Sequence, residues 1–115
     1  MAHDIRAQLR YLSISAQKVR LVVDLVRGKS ATQAMEILRF APQAGALPVS
    51  KLLASAIANA EENFGVSRDD LFVDKIFADE APTRKWRRFG ARGRFKPIMR
   101  RSSHVTVVLR EREAA

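Results

Sequence analysis

Between Thr83 and Arg101 the chain carries nine Lys or Arg in nineteen residues and no acid at all. A solvated helical face mixes its signs, so a single-sign block of this density reads either as a polyanion contact or as a disordered tail. Trp86, Phe89 and Phe95 lie among these arginines. Disordered tails are poor in such residues, so the block is expected to be an ordered nucleic-acid-binding element. The rest of the chain is charged differently. Residues 1–60 hold eight cations and three acids, and residues 61–82 hold seven acids against Arg68 and Lys75.

Periodicity supplies the frame that must hold this block. Ile5, Ala7, Leu9 and Tyr11 alternate with Arg6, Gln8 and Arg10, which predicts a half-buried strand with a basic outer face. Ser13 or Ser15 can cap a helix running to about Arg27, with Val19, Val22, Val23 and Val26 on one face and Gly28 as its stop. Ser30 and Gln33 have capping-box spacing before a second stripe of Ala34, Ile37, Leu38 and Ala41, which Pro42 ends. Pro48 suits the start of a third helix whose stripe is Val49, Leu52, Leu53, Ala56, Ile57, Ala60 and Phe64, followed by Gly65.

After Gly65 the pattern turns to strand. Leu71–Ala78 and His104–Leu109 are rich in strand formers, and between them lies the basic block with Gly90 and Gly93 near its middle. Two strands about a glycine-centred segment predict a β-hairpin whose arms outrun the sheet. Arms of about ten to twelve residues project roughly 30–40 Å at 3.3 Å per residue. A ribbon without apolar alternation buries too little surface to stand alone, so its order must come from what its arginines hold. The expected architecture is α+β: three helices packed on a small antiparallel sheet, with a long protruding basic hairpin. One domain is expected, with a globular body at about 1–80 and 102–112 and the hairpin at about 81–101.

Composition closes off other classes. The 115 residues contain no cysteine, which removes disulfides and thiolate chemistry, and no run of about 18 apolar residues that could span a membrane. The N-terminus lacks the apolar segment of a secretory signal, so an intracellular protein is expected. A net charge of +9 favours a polyanionic partner. Asp69, Asp70, Asp74, Asp79 and Glu80 could be imagined as a nuclease metal cluster. On a strand, however, Asp70 and Asp74 point to one face and Asp69 and Asp79 to the other. Ser103 and His104 are adjacent strand residues projecting to opposite faces, so a histidine at the strand entry with hydrogen-bonding serines is favoured over a nucleophile and its base. Gly90-Ala91-Arg92-Gly93 lacks the strand–helix context of a phosphate loop. The second helix carries only Glu36 and Arg39 as charges, which suits core packing better than DNA recognition. No catalytic site, metal site or cofactor is expected.

Ser15 to Lys29 (SAQKVRLVVDLVRGK), Lys51 to Gly65 (KLLASAIANAEENFG) and Arg100 to Leu109 (RRSSHVTVVL) closely resemble the large-subunit ribosomal protein L-twenty-two family of bacterial type. The likeness runs in order from about Ile5 to Leu109, and Ser55–Glu61 and Ser103–Val107 are specific signatures. The resemblance implies an α+β body on the outer surface of the large subunit, in the cytoplasm, with the hairpin reaching inward through ribosomal RNA. It implies that the hairpin tip, here Arg88, Phe89, Gly90, Ala91, Arg92 and Gly93, helps line the nascent-peptide exit tunnel. The implied partners are large-subunit ribosomal RNA, neighbouring ribosomal proteins and the nascent peptide. The departures fall in the hairpin. Ala81-Pro82 stands where the family commonly has Gly-Pro, Trp86 where an Arg follows the lysine, and Phe89-Gly90-Ala91 where a Pro-Arg-Ala run is usual. They bear on the tip's conformation and on what it offers a nascent chain or a tunnel-binding antibiotic.

The RNA-binding residues expected on this basis are Arg84, Lys85, Arg87, Arg88, Arg92, Arg94, Lys96, Arg100 and Arg101, which would neutralise phosphates and release counterions. Trp86, Phe89 and Phe95 are candidates for stacking on unpaired bases. On the body, Arg6, Arg10, Lys18, Arg20, Arg27 and Lys29 would form a second footprint. A basic DNA-binding or nucleoid-associated protein is the alternative, and a metal-dependent nuclease a third reading.

Overall fold

The computed structural model describes residues 4–82, 84–89 and 95–112, with strand pairing alone for 84–89 and 95–100. In chain order the elements are β1 (Asp4–Leu12), α1 (Ala16–Val26), α2 (Ala31–Phe40), α3 (Ala46–Phe64), a 3₁₀ turn (Arg68–Asp70), β2 (Leu71–Glu80), β3 (Arg84–Phe89), β4 (Phe95–Arg100) and β5 (Ser103–Glu111).

The helices form where apolar stripes and end signals coincide. In α1, Val19, Val22, Val23 and Val26 are all fully buried. Ser15 is the N-cap, although its side chain makes no cap bond, and Gly28 takes φ 78° as the chain leaves the helix. That left-handed conformation is open to glycine at no steric cost. In α2 the Ser30 hydroxyl accepts from the N–H of Gln33 at 3.2 Å, and Ala34 and Leu38 are buried. Pro48 lies in the first turn of α3, where its missing N–H has no partner to lose. Gly65 ends α3 at φ 65°, donating its N–H to the Ala60 carbonyl. The stripe from Val49 to Ala60 is buried, but Phe64, at the end of the helix beside Glu61, Glu62 and Asn63, is 45% exposed.

Three strands pair antiparallel in the order β1-β5-β2, and the three helices cover one face of the sheet. Ile5, Leu71, Val73, Ile76, Val105, Val107 and Leu109 point into that layer and join the helical valines, Leu53 and Ala56 in one core. Burying such side chains is worth about 1.5–3 kcal/mol each, which is what commits the sheet to this face.

Two bulges depart from simple alternation. In β1 the register shifts between Leu9 and Leu12, and Tyr11 sits at φ 55° with its side chain 58% exposed. Tyr11 therefore does not continue the inward row of Ile5, Ala7 and Leu9. In β2 the register shifts between Val73 and Lys75. There the α1–α2 connection docks on the strand: Gly28 N–H donates to the Val73 carbonyl at 3.0 Å, and Val73 N–H to the Lys29 carbonyl at 2.8 Å. The acidic residues are also rearranged. Asp69 and Asp70 belong to the 3₁₀ turn, capped by the Ser67 hydroxyl, and the bulge resets the strand phase at Asp74. The strand alternation expected for Asp69, Asp70, Asp74 and Asp79 therefore does not hold.

β3 and β4 form a separate two-stranded antiparallel ribbon. The radius of gyration is 17.4 Å, against about 13 Å for a compact chain of this length, and the longest axis measures 68 Å.

Candidate nucleic-acid interface

The ribbon is the direct continuation of β2 and β5. Glu80 pairs with Ser103, and Ala81 N–H then donates to the Ser102 carbonyl at 3.0 Å. From there to the pair Arg84–Arg100 the register shifts by one residue. Pro82 sits at this break and has no N–H to carry the ladder on. The neck is lined by a cavity of about 340 Å³ that includes Ser15, Gln17, Glu80 and Arg101.

Along the ribbon Arg84 stands opposite Arg100, and Arg88 opposite Lys96. Like charges directly across an antiparallel pair are destabilising, so this register favours a polyanion beside it. Trp86 is opposite Ile98, and Phe89 opposite Phe95, so two apolar pairs stand among the charged and mixed ones. Gly90, Ala91, Arg92, Gly93 and Arg94 lie outside the described residues, as do the side chains of Arg84, Lys85, Trp86, Arg87, Arg88, Phe89, Phe95, Lys96 and Arg100.

The body cations do not form one patch. Arg6 and Arg10 lie on the sheet face opposite the helices, and Arg10 Nε donates to Gln8 Oε1 at 3.3 Å. Arg20 and Arg27 stand over the outer edge of β2. Arg20 Nε donates to the Ala78 carbonyl at 3.2 Å. Arg27 donates through Nη2 and Nε to the Ile76 carbonyl at 2.8 and 3.3 Å, and its Nη1 meets Asp24 Oδ1 at 2.5 Å. With the Gly28–Lys29 loop these two arginines satisfy an edge that would otherwise expose open carbonyls. Lys18 lies on the exposed side of α1, and Lys29 is exposed beside the docked loop.

Ser103 and His104 have structural partners. The buried Ser103 hydroxyl donates to the Ile14 carbonyl at 2.9 Å, and His104 Nδ1 accepts the main-chain N–H of Tyr11. They point to opposite faces of β5 and do not meet as nucleophile and base. Among the described residues no three His, Asp or Glu side chains gather as ligands for a metal. No described helix is long and apolar enough to cross a membrane.

Sequence reading missed Lys75 and Phe77, which the β2 bulge turns to the same open face as Arg6 and Gln8. The signal was present as a skipped beat in the alternation: Leu71 and Val73 are inward, then Ile76 and Ala78.

Comparison with known proteins agrees with this arrangement. The profile of the family described as ribosomal protein L22p/L17e matches residues 7–110. The large ribosomal subunit protein uL22 of Pediococcus pentosaceus is 47% identical over 108 residues, covering 94% of this chain and 92% of that protein. The uL22 of Thermoanaerobacter pseudethanolicus is 49% identical over 110 residues, covering 96% of this chain and 99% of that protein.

Proposed function

Since the chain belongs to the ribosomal protein L22p/L17e family, we propose that it is an RNA-binding structural component of the large ribosomal subunit whose basic hairpin inserts between ribosomal RNA segments and helps line the exit tunnel beside the nascent peptide. The observation that carries this reading is the ribbon itself: paired strands leave the body at Ala81 and Ser102 with nine cations and no acid between Thr83 and Arg101. Arginine outnumbers lysine seven to two there, which suits bidentate phosphate contacts and stacking on exposed bases. The role is architectural, with no catalytic step. Beside the hairpin footprint, the body supplies separate contacts, Arg6 and Arg10 from the open sheet face and Lys18 and Lys29 from the helical side, with Arg20 and Arg27 shared between RNA and the β2 edge.

The test is co-sedimentation of the full chain with large subunits, together with its affinity for large-subunit ribosomal RNA and for duplex DNA at equal salt. Retention on subunits and a preference for the RNA are expected. Changing Arg88, Arg92 and Arg94 to Ala should make the slope of log affinity against log salt shallower by about two to three units. Equal or tighter binding to duplex DNA, with no retention on subunits, would favour the nucleoid-protein alternative instead. For the tunnel assignment, a photo-crosslinker at position 89 should capture an arrested nascent chain.

A further inference from the structure

The three-stranded sheet is covered by helices on one face only, and the registers define what its other face presents. Across β1, β5 and β2 the rows are Asp4–Arg110–Phe72, Arg6–Val108–Lys75 and Gln8–Thr106–Phe77, followed toward the neck by His104 opposite Asp79. The two middle rows contain no carboxylate, and the exposed Asp79 borders Phe77 on the neck side. Arg6, Gln8 and Lys75 are exposed, while Val108 and Phe77 are half-buried. In the first row the Asp4 charge is taken up by Arg110 at 2.9 Å, and Arg112 lies over the Phe72 ring at 6.0 Å. Arg10 adds a further cation beside Gln8. Between Gln8 and Phe77 the buried Thr106 hydroxyl has no hydrogen-bond partner, an unmet bonding capacity at the centre of the face.

We infer that this open sheet face is a binding surface for unpaired ribonucleotides, in which Phe77 stacks a base, Gln8 bonds to a base edge, and Arg6, Arg10 and Lys75 hold the flanking phosphates. Arg6 and Lys75 are two strand spacings apart, about 10 Å between their backbones, so their side chains can flank a single strand running along β5. An aromatic ring on an open sheet face, next to Lys75 on its own strand and across from Gln8, is the chemistry that recognises splayed-out bases, because a duplex keeps its base faces stacked away. A protein-docking surface would be depleted of lysine at its centre, whereas here Arg6 and Lys75 flank Val108 on both sides. The inference rests on the RNA-binding reading above, and deepens it by joining Gln8, Lys75 and Phe77 to Arg6 and Arg10 in one single-strand site.

The test uses the full chain and large-subunit ribosomal RNA, with affinity measured against salt for the wild type, for Arg6→Gln with Lys75→Gln, and for Phe77→Leu. The exposed pair Arg39 and Lys51, changed to Gln, serves as a control for net charge. The Arg6/Lys75 variant should lose about one and a half to two units of salt slope, and the control should not. Phe77→Leu should bind about fivefold more weakly at an unchanged slope. Should Leu at position 77 unfold the chain, the exposed double variant still decides. A wild type that binds, with a double variant indistinguishable from the control, overturns this surface and leaves the hairpin reading standing. A double variant that keeps its RNA affinity but no longer enters subunits assigns the face to a neighbouring protein and overturns the inference. A wild type that does not bind ribosomal RNA overturns both readings together.

Discussion

The main-chain N–H of Tyr11 donates to Nδ1 of His104 across 3.0 Å, and the two rings meet edge to face with centroids 4.7 Å apart. Tyr11 is the only described residue other than glycine with positive φ. A side chain in that region costs roughly 1–2 kcal/mol. The bond and the ring contact with His104 offset that cost and hold the bulge that ends β1.

His104→Phe keeps a ring at this position and removes the acceptor. The expected loss is about 1 kcal/mol, seen as a fall in Tm of roughly 4 °C. An unchanged Tm would mean that the bulge holds itself without His104.

Arg27 grips the Ile76 carbonyl by two donors, and Arg20 reaches Ala78. Changing both to Ala should cost about 1–2 kcal/mol. It should also expose the β2 edge, so that light scattering reports concentration-dependent association. Arg27→Lys keeps the charge without the planar fork, so its salt slope for RNA should match the wild type while its Tm falls. If Lys at position 27 restored full stability, charge rather than edge capping would be the role of Arg27.

The helices were legible because each needs only one stripe and two end signals, all local. Val19 to Val26 and Val49 to Ala60 are buried as their spacing requires, and Gly28 and Gly65 stop the helices at positive φ. The hairpin was legible from glycines between strand formers. The bulges were not. Alternation assumes an unbroken period of two, and the docking of Gly28 and Lys29 against Val73 resets it at Asp74. That reset decides the face of Lys75 and Phe77. Nor could spacing distinguish Arg20 and Arg27 from cations free for RNA, because their carbonyl partners lie about fifty residues away in sequence.

Asp4 and Arg110 face each other at the end of the β1–β5 ladder, joined by Nε to Oδ1 at 2.9 Å and Nη2 to Oδ2 at 3.4 Å. The Arg110 hydrogen bond holds the Asp4 carboxyl below its ordinary value of 3.8. A folded-state value below the unfolded one gives stability that is present above the unfolded value. It is lost as pH falls through the folded value. Asp4→Asn should therefore melt below the wild type at neutral pH, and the two Tm curves should converge on acidification below pH 3.8. A gap that stayed constant into acid would rule out this carboxylate as its source.

The neck geometry allows the hairpin to be removed without touching the core. β2 and β5 are paired through Glu80 and Ser103, and the Ala81–Ser102 bond closes the ladder beyond them. Every member of the hydrophobic core cluster falls between Ile5 and Ala78 or between Val105 and Leu109. An Asn-Gly pair joining Ala81 to Ser102 makes a two-residue hairpin loop of the favoured type. The shortened chain should unfold in one cooperative transition within about 1 kcal/mol of the full protein, since only exposed ladder and turn change. Its affinity for ribosomal RNA should fall, and with about six phosphate contacts removed its salt slope should shrink by roughly four to five units. What remains of the slope belongs to the body, so adding Arg6→Gln and Lys75→Gln to the shortened chain should reduce it again. A broad, non-cooperative melt of the shortened chain would show instead that the ribbon is part of what holds the sheet together.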